Sequence, residues 1–122
     1  MVLERLLTPL QEIDGYRASA IFNLQGKVIA KSNHSAYSVD ALGQAMANLT
    51  ENCTQSLLAV NLGNADFIQV DTEDGILLEM WVWHNEAILV ALFDNGASIG
   101  LIKTRMRNIV NTGFKALLPK PD

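Results

Sequence analysis

The sequence predicts an α+β fold: a five-stranded antiparallel sheet with helices on both faces. Apolar residues recur first at helical spacing, then every second residue, and these two patterns alternate in the order α-β-β-α-β-β-β-α. The segment between the first two strands and the two segments between the last three strands are short enough for hairpins, which makes consecutive strands antiparallel. Residues 76–93, ILLEMWVWHNEAILVALF, are apolar on both faces of two strands, so these strands must lie mid-sheet with cover above and below.

A short amphipathic helix is predicted at the N-terminus. The run Thr8-Pro9-Leu10-Gln11 has the pattern of a capping box with proline at the first helical position, so this helix should kink or restart there. Asp14-Gly15 ends it. Its apolar stripe consists of Leu3, Leu6, Leu7, Leu10 and Ile13.

A hairpin and a long helix follow. Residues 16–24 alternate as a strand, Gln25-Gly26 makes a tight turn, and residues 27–31 form the second strand. Ser38 is placed to cap a helix of roughly 23 residues, about 34 Å long, which Gly63 stops. Its predicted core stripe is Leu42, Met46, Leu49, Cys53, Leu57 and Val60.

The second half of the chain supplies three strands and a last helix. The strands are predicted at residues 67–71, 76–83 and 87–93, and the first of them is short and polar enough for a sheet edge. Ser98 can cap the last helix, and Pro119 ends it. We expect the long helix on one face of the sheet and the two terminal helices on the other.

Composition limits the class of protein. A 122-residue chain that is 49% hydrophobic and 18% charged suits a single packed domain, residues 1–122. The formal net charge of −4 disfavours binding to nucleic acid, and no apolar run is long enough for membrane insertion. The N-terminus lacks the features of a signal peptide, and the single cysteine, Cys53, fits a reducing compartment. We therefore expect a cytoplasmic protein.

A second stripe on the long helix consists of small or short polar residues. Either it is an ordinary solvated face or, the interpretation we favour, it allows another helix to approach closely. No helix of the chain remains to make that contact, so the economical partner is a second copy, with the edge strands of the two copies joined in one sheet. The predicted dimer interface comprises Ala41, Ala45, Asn48, Asn52, Ser56, Ala59, Phe67, Ile68, Gln69 and Val70.

The order and lengths of the elements resemble the Roadblock family (dynein light chain roadblock type), of the longin- and profilin-like group. The similarity rests on LERLL…IDGYRASAIFNLQGKVIAKS, a long second helix, and AILVALFDNGASIGLIKTRMRNIV. The resemblance covers essentially the whole chain. It implies a dimer built through the second helix and third strand, and a regulator of small Ras-like GTPases or an adaptor in motor or signalling complexes.

No catalytic, cofactor or metal site is predicted. The P-loop, G-x-S-x-G, CxxC and HExxH patterns are absent, and His34 and His84 stand without a second histidine at ligand spacing. Cys53 fits an inert buried thiol. Trp81 and Trp83 should lie in the core under the terminal helices, or else anchor an interface.

The last helix is basic. Its charges fit a solvated face, a surface that docks an acidic partner, or an arginine near a nucleotide phosphate. They are Lys103, Arg105, Arg107 and Lys115.

The sequence therefore favours a noncatalytic dimeric regulator or adaptor that binds a small Ras-like GTPase. Partner contacts are expected beside the small-residue stripe, at Gln44, Asn48, Glu51 and Gln55. The alternatives are a small-ligand sensor, or a scaffold subunit of a signalling or motor complex without effect on a GTPase. A sensor needs a pocket with convergent polar groups, and the apolar strands do not predict one.

Overall fold

The computed structural model describes residues 2–82 and 86–113. The chain begins with a 3₁₀ segment and a short helix. A hairpin, a long helix and three further strands follow, and then a last helix that continues into a π-helical turn. In chain order the elements are the 3₁₀ segment Val2–Leu7, α1 (Thr8–Gln11), β1 (Tyr16–Asn23), β2 (Val28–Asn33), α2 (Val39–Ala59), β3 (Phe67–Thr72), β4 (Gly75–Val82), β5 (Ala87–Phe93), α3 (Ile99–Asn108) and a π-helical turn at Ile109–Gly113.

All five strands belong to one antiparallel sheet, in the order β2-β1-β5-β4-β3. The prediction that the fourth and fifth strands lie inside the sheet is confirmed, and so is the edge position of β3. Every residue of β5 is buried, as its uninterrupted apolar sequence requires.

Helices cover the two faces of the sheet as predicted. The N-terminal segment and α3 pack on the face that presents Leu78, Met80 and Leu89. The long helix α2 packs on the other face, against Phe22 and Val90 among others. The α+β arrangement expected from the sequence is therefore confirmed.

Trp81 is on the opposite face from the one predicted. It packs with Leu77 in the cluster beneath α2 instead of under the terminal helices. Alternation along β4 shows which residues share a face, but only the folded chain shows which helix covers that face. Trp83 lies outside the described residues.

The residues that α2 buries lie on a line that is rotated about the helix axis from the predicted core stripe. The residues that face the sheet most closely are Val39, Gly43, Met46 and Thr50. Leu42, Leu49, Cys53 and Leu57 are only half-buried, and Val60 is 62% exposed. The prediction is confirmed for Met46, and Leu42 and Leu49 pack against the margin of the core. It was wrong for Val60, and it missed Gly43 and Thr50 because it followed large apolar residues.

The helix ends follow from local chemistry. Ser38 caps α2, since its side chain accepts a hydrogen bond from the Ala41 amide at 3.2 Å, and Ser98 caps α3 in the same way. Beyond α2 the chain turns through two left-handed residues, Asn61 (φ 60°) and Gly63 (φ 84°). The predicted stop at Pro119 lies outside the described residues.

The N-terminal segment changes from 3₁₀ to α-helix at Thr8, so the helix restarts at the proline. The predicted capping box is wrong: Leu7 occupies the N-cap position and no side chain caps the helix. Within the described part of the chain, no helix combines the length and apolarity that crossing a membrane requires.

Candidate functional site: the outer face of α2 and its two flanks

The predicted small-residue stripe lies on the face of α2 that points away from the sheet. The buried residues Val39, Gly43, Met46 and Thr50 occupy one side of the helix. The stripe residues are about half a turn away around the axis. All six are exposed: Ala41, Ala45, Asn48, Asn52, Ser56 and Ala59. The chain thus presents a narrow ridge of short side chains along most of a 21-residue helix.

One flank of this ridge is a shallow groove against the sheet edge, which we call the α2–β3 groove. Its volume is about 500 Å³. The structure brings five predicted interface residues together around it: Asn52 and Ser56 from α2, and Phe67, Ile68 and Gln69 from β3. Half-buried Cys53 also lines the groove, so the expectation of a fully buried thiol is wrong.

The edge strand β3 offers a margin for pairing. It hydrogen-bonds to β4 on one side, and no described strand pairs with its other side. Ile68 and Val70 lie opposite Glu79 and Leu77 of β4 and thus on the face covered by α2. Phe67 alternates to the other face, where the ammonium group of Lys103 lies 4.6 Å from its ring centroid.

Large apolar side chains are exposed where α2 ends. Leu58, Val60 and Leu62 are 56%, 62% and 72% exposed. Sequence reasoning missed this cluster: it assigned Val60 to the core and gave Leu58 and Leu62 no role. One sequence feature could have revealed the cluster: Leu58 departs from the helical spacing of the core stripe. Adjacent exposed apolar side chains are typical of a surface that meets another protein.

The other flank of the ridge is a cavity of about 800 Å³, which we call the Trp81 cavity. It opens between α2, the β1–β2 turn and Trp81 of β4. All four residues predicted to bind a partner line it: Gln44, Asn48, Glu51 and Gln55. The sequence did not predict a pocket with convergent polar groups, but this cavity has them.

Glu79 lies behind the wall of this cavity. Its side chain is fully buried on the α2 face of β4, and Oε1 accepts a hydrogen bond from Thr50 Oγ1 at 2.6 Å. Burial raises the pKa of the Glu79 carboxyl to about 7, and the Thr50 hydrogen bond partly offsets that rise. Sequence reasoning assigned Glu79 no role, although a lone acid in an apolar strand was the available signal.

Two polar side-chain atoms on the α2 face of β4 lack partners among the described residues. Neither Oε2 of Glu79 nor Nε1 of Trp81 has a hydrogen bond within residues 2–82 and 86–113, and both atoms are buried. Buried polar groups in native proteins are nearly always paired, so two unpaired atoms on residues two apart in one strand mark a site of interest.

The basic residues of α3 make contacts within the chain. Arg107 donates two hydrogen bonds, of 3.1 and 2.9 Å, to the Asp66 carboxylate, and these hold the pKa of Asp66 below its usual range. Arg105 donates to the carbonyl of Pro9 at 2.9 Å, and Lys103 lies over Phe67. These charges tie α3 to the N-terminal segment and to the start of β3. Lys115 lies outside the described residues.

The remaining titratable groups form no metal site in the part of the chain that the structure describes. His34 packs edge-on against Tyr16, with ring centroids 5.2 Å apart. His84 lies outside the described residues.

The β2-β1-β5-β4-β3 sheet, with a long helix on one face and the terminal helices on the other, has the fold of solved Roadblock/LC7 domains. Solved structures with this fold match the chain closely in three dimensions. A Roadblock/LC7 domain from Streptomyces avermitilis matches with a TM-score of 0.83 at 14% identity, covering 95% of this chain and 98% of that one. A structure of MglB with a tetrameric arrangement matches with a TM-score of 0.79 at 18% identity, covering 90% and 82%.

The gliding protein MglB from Thermus thermophilus matches with a TM-score of 0.76 at 18% identity, covering 90% of this chain and 83% of that one. A profilin from Acanthamoeba castellanii matches with a TM-score of 0.54 at 15% identity over 87% and 88% of the two chains, as the predicted profilin-like group implies. Identities this low establish the fold alone. No family model matches the sequence, and no curated protein does.

Proposed function

We propose that this protein is a noncatalytic dimeric regulator or adaptor that binds a small Ras-like GTPase. The observation that carries the proposal is the exposed ridge of short side chains on α2, beside the unpaired margin of β3. A second copy would lay its own α2 antiparallel along this ridge and pair its β3 with the free margin. The exposed Leu58, Val60 and Leu62 would extend the buried area at each end.

Self-association is supported by chemistry as well as by shape. Ala41, Ala45 and Ala59 permit close approach of two helix axes, while Asn48 and Asn52 supply amides that can bond across the contact. A structural neighbour described as MglB with a tetrameric arrangement is itself an assembly of copies. Such a dimer would cover the α2–β3 groove on both chains.

The GTPase partner is inferred from the family resemblance, and the surface that we propose for it is the flank of α2 beyond the ridge. Gln44, Asn48, Glu51 and Gln55 lie together on the flank of α2 beyond the ridge, around the Trp81 cavity. In a twofold dimer the two copies of this flank would border one composite surface. Its exposed amides and carboxylate offer hydrogen bonds to a folded partner, and the absence of a P-loop means that the partner must supply the nucleotide.

The test combines solution mass with GTP hydrolysis. We expect the mass of a dimer by light scattering, binding to a Ras-like GTPase encoded near this protein's gene, and a changed hydrolysis rate when the two are mixed. Binding without a change in hydrolysis would identify a scaffold, the alternative function. A monomer that binds no GTPase in either nucleotide state would overturn the proposal.

A further inference from the structure

The Trp81 cavity lies where α2 stands away from β4. The helix touches the β1–β2 turn at Gly43, and its contacts with the strands are mainly with β1 and β2. Beside Thr50, a space of about 800 Å³ remains between the helix and Trp81. This volume falls within the range of ligand pockets, roughly 300–1,000 Å³, so the cavity can accept a whole side chain of a partner protein.

Part of the cavity wall offers only carbon. The side chains of Leu24, Ala47 and Trp81 line this part. Nε1 of Trp81 is buried, so the portion of the indole that reaches the cavity is carbon. An occupant therefore meets Trp81 through dispersion and π interactions, and it gains no hydrogen bond from the ring.

The α2 side of the cavity places one carboxylate beside a hydrogen-bond acceptor. Ala47, Glu51 and Gln55 follow at intervals of four residues, so they lie in succession along one side of the helix. Glu51 is exposed, and among the described residues that line the cavity it alone carries a charge. The side-chain amide of Gln55 donates to Oε1 of Glu51 at 3.4 Å, and no described residue donates to the side-chain oxygen of Gln55.

These surfaces select the charge and the shape of an occupant. An anion would be repelled by Glu51, and a neutral group would gain no charge interaction from it. Arginine has a weakly hydrated plane that packs against aromatic carbon, and its N–H groups point in several directions. Lysine instead carries a compact, strongly hydrated ammonium group. Arginine is therefore the side chain that can use the ring, the carboxylate and the amide oxygen together.

We propose that the Trp81 cavity receives an arginine side chain of the protein partner. The aliphatic stem of this arginine packs against Leu24 and Ala47, and its guanidinium plane lies against the ring carbon of Trp81. Its N–H groups donate to the Glu51 carboxylate and to the side-chain oxygen of Gln55. This inference rests on the proposed function, because it names the chemistry of the partner residue that meets this flank of α2.

The first test needs no partner protein and compares three small probes. N-acetyl-arginine amide carries the guanidinium group, N-acetyl-citrulline amide has the same shape without the charge, and N-acetyl-lysine amide has the charge without the plane. Binding is followed through the ring C–H signals of Trp81 in an NMR spectrum, which comparison with Trp81→Phe assigns. We expect the arginine probe to shift these signals at millimolar concentration and the other two to bind about fivefold more weakly.

A matched pair of variants separates this site from the overall negative charge of the chain. Glu51→Gln removes the carboxylate from the cavity, so the arginine probe should bind about fivefold more weakly while the affinity of the citrulline probe is unchanged. Glu73→Gln removes an exposed acid from the β3–β4 turn and changes the net charge by the same amount. It should leave the affinity of both probes unaltered.

The second test measures binding of the same two variants to the Ras-like GTPase of the proposed function. Glu51→Gln should bind it about fivefold more weakly than Glu73→Gln does. A GTPase that binds both variants equally well overturns the arginine contact and leaves the proposed function standing. A GTPase that does not bind the unaltered chain overturns the proposed function, whereas the probes alone decide the chemistry of the cavity.

The probes overturn the arginine site in any of three ways. The arginine probe leaves the Trp81 signals unmoved, which means that water alone fills the cavity. The citrulline or the lysine probe binds as tightly as the arginine probe, so that shape or charge alone is recognised. Glu51→Gln binds the arginine probe as tightly as the unaltered chain does.

Discussion

Gly26 and Gly43 meet backbone to backbone. A methyl group on Gly43 would lie 2.4 Å from the carbonyl oxygen of Gly26 and 2.6 Å from a ring carbon of Phe22. A methyl group on Gly26 would lie 2.6 Å from the carbonyl oxygen of Gly43, at a residue whose φ is +87°. The β1–β2 turn therefore holds one end of α2 against the sheet.

Replacing Gly43 should separate this contact. Gly43→Ala must move either the helix or the turn, because a backbone oxygen cannot move aside as a side chain does. We expect a loss of about 2 kcal/mol in the free energy of unfolding, measured by urea denaturation. Gly100→Ala is the control: it also adds a methyl group in a helix but meets no atom within 4 Å, so it should stabilise slightly. Equal effects of the two substitutions would show that the Gly26 contact does not constrain the fold.

Bulky substitutions on the ridge should dissociate the proposed dimer. Ala45→Arg and Ser56→Arg place a long charged side chain where two helices would approach closely, so each should shift the mass toward that of a monomer in light scattering. Thr104→Arg makes a comparable change on the exposed side of α3, on the opposite face of the sheet, and should leave the mass unaltered. A dimer that survives both ridge substitutions would place the interface elsewhere.

Glu79 should make stability fall as pH rises. Its pKa is about 7 in the folded chain against an ordinary value of 4.5, so between these values the folded state holds a proton that the unfolded state has released. The free energy of unfolding should therefore decrease by about 3 kcal/mol from pH 4.5 to pH 8. Urea denaturation across this range measures the decrease.

Glu79→Gln removes the titration and should flatten the profile. Asp66 does not obscure the measurement. Its pKa is lowered in the folded chain, so its ionised carboxylate stabilises the fold at pH values above its unfolded-state pKa. That stability is lost only below the range from pH 4.5 to pH 8. A profile that keeps its slope in Glu79→Gln would assign the pH dependence to another group.

The hydroxyl of Thr50 should stabilise ionised Glu79. Thr50→Val keeps the size of the side chain but removes the 2.6 Å hydrogen bond, the only one to this carboxyl from the described residues. We expect a loss of about 2 kcal/mol at pH 8 and a further rise in the Glu79 pKa, which a carboxyl NMR titration reports. Thr54→Val is the control, because Thr54 Oγ1 donates only to the Thr50 carbonyl within α2. If both variants behave alike, the Thr50 hydroxyl does not act on Glu79.

Local patterns were sufficient to predict most of the fold. The strands at residues 16–24, 67–71 and 87–93 match β1, β3 and β5 within a residue at each end, because a period of two persists along each. The predicted start of β2 at residue 27 is one residue early, and its predicted end at residue 31 is two residues short of Asn33. Ser38 and Ser98 cap their helices as expected, because capping depends only on a hydroxyl and the next three residues.

The candidate site was predicted less completely. Gln44, Asn48, Glu51 and Gln55 were singled out as neighbours on one helix, and helical geometry alone places them on one flank. The cavity that they line depends on how far α2 stands from β4. No spacing within α2 reports that distance, so the cavity could not be predicted.

The sequence by itself determined the order of the elements, the antiparallel pairing and the edge position of β3, since periodicity, turn residues and local polarity are properties of short segments. The tertiary structure decided that Trp81 lies beneath α2, that α2 is rotated to place Gly43 on Gly26, and that Thr50 reaches Glu79 across 29 residues of chain. The physical reason is close packing. A helix settles where backbone and side chains approach without overlap, and that position depends on both partners of every contact.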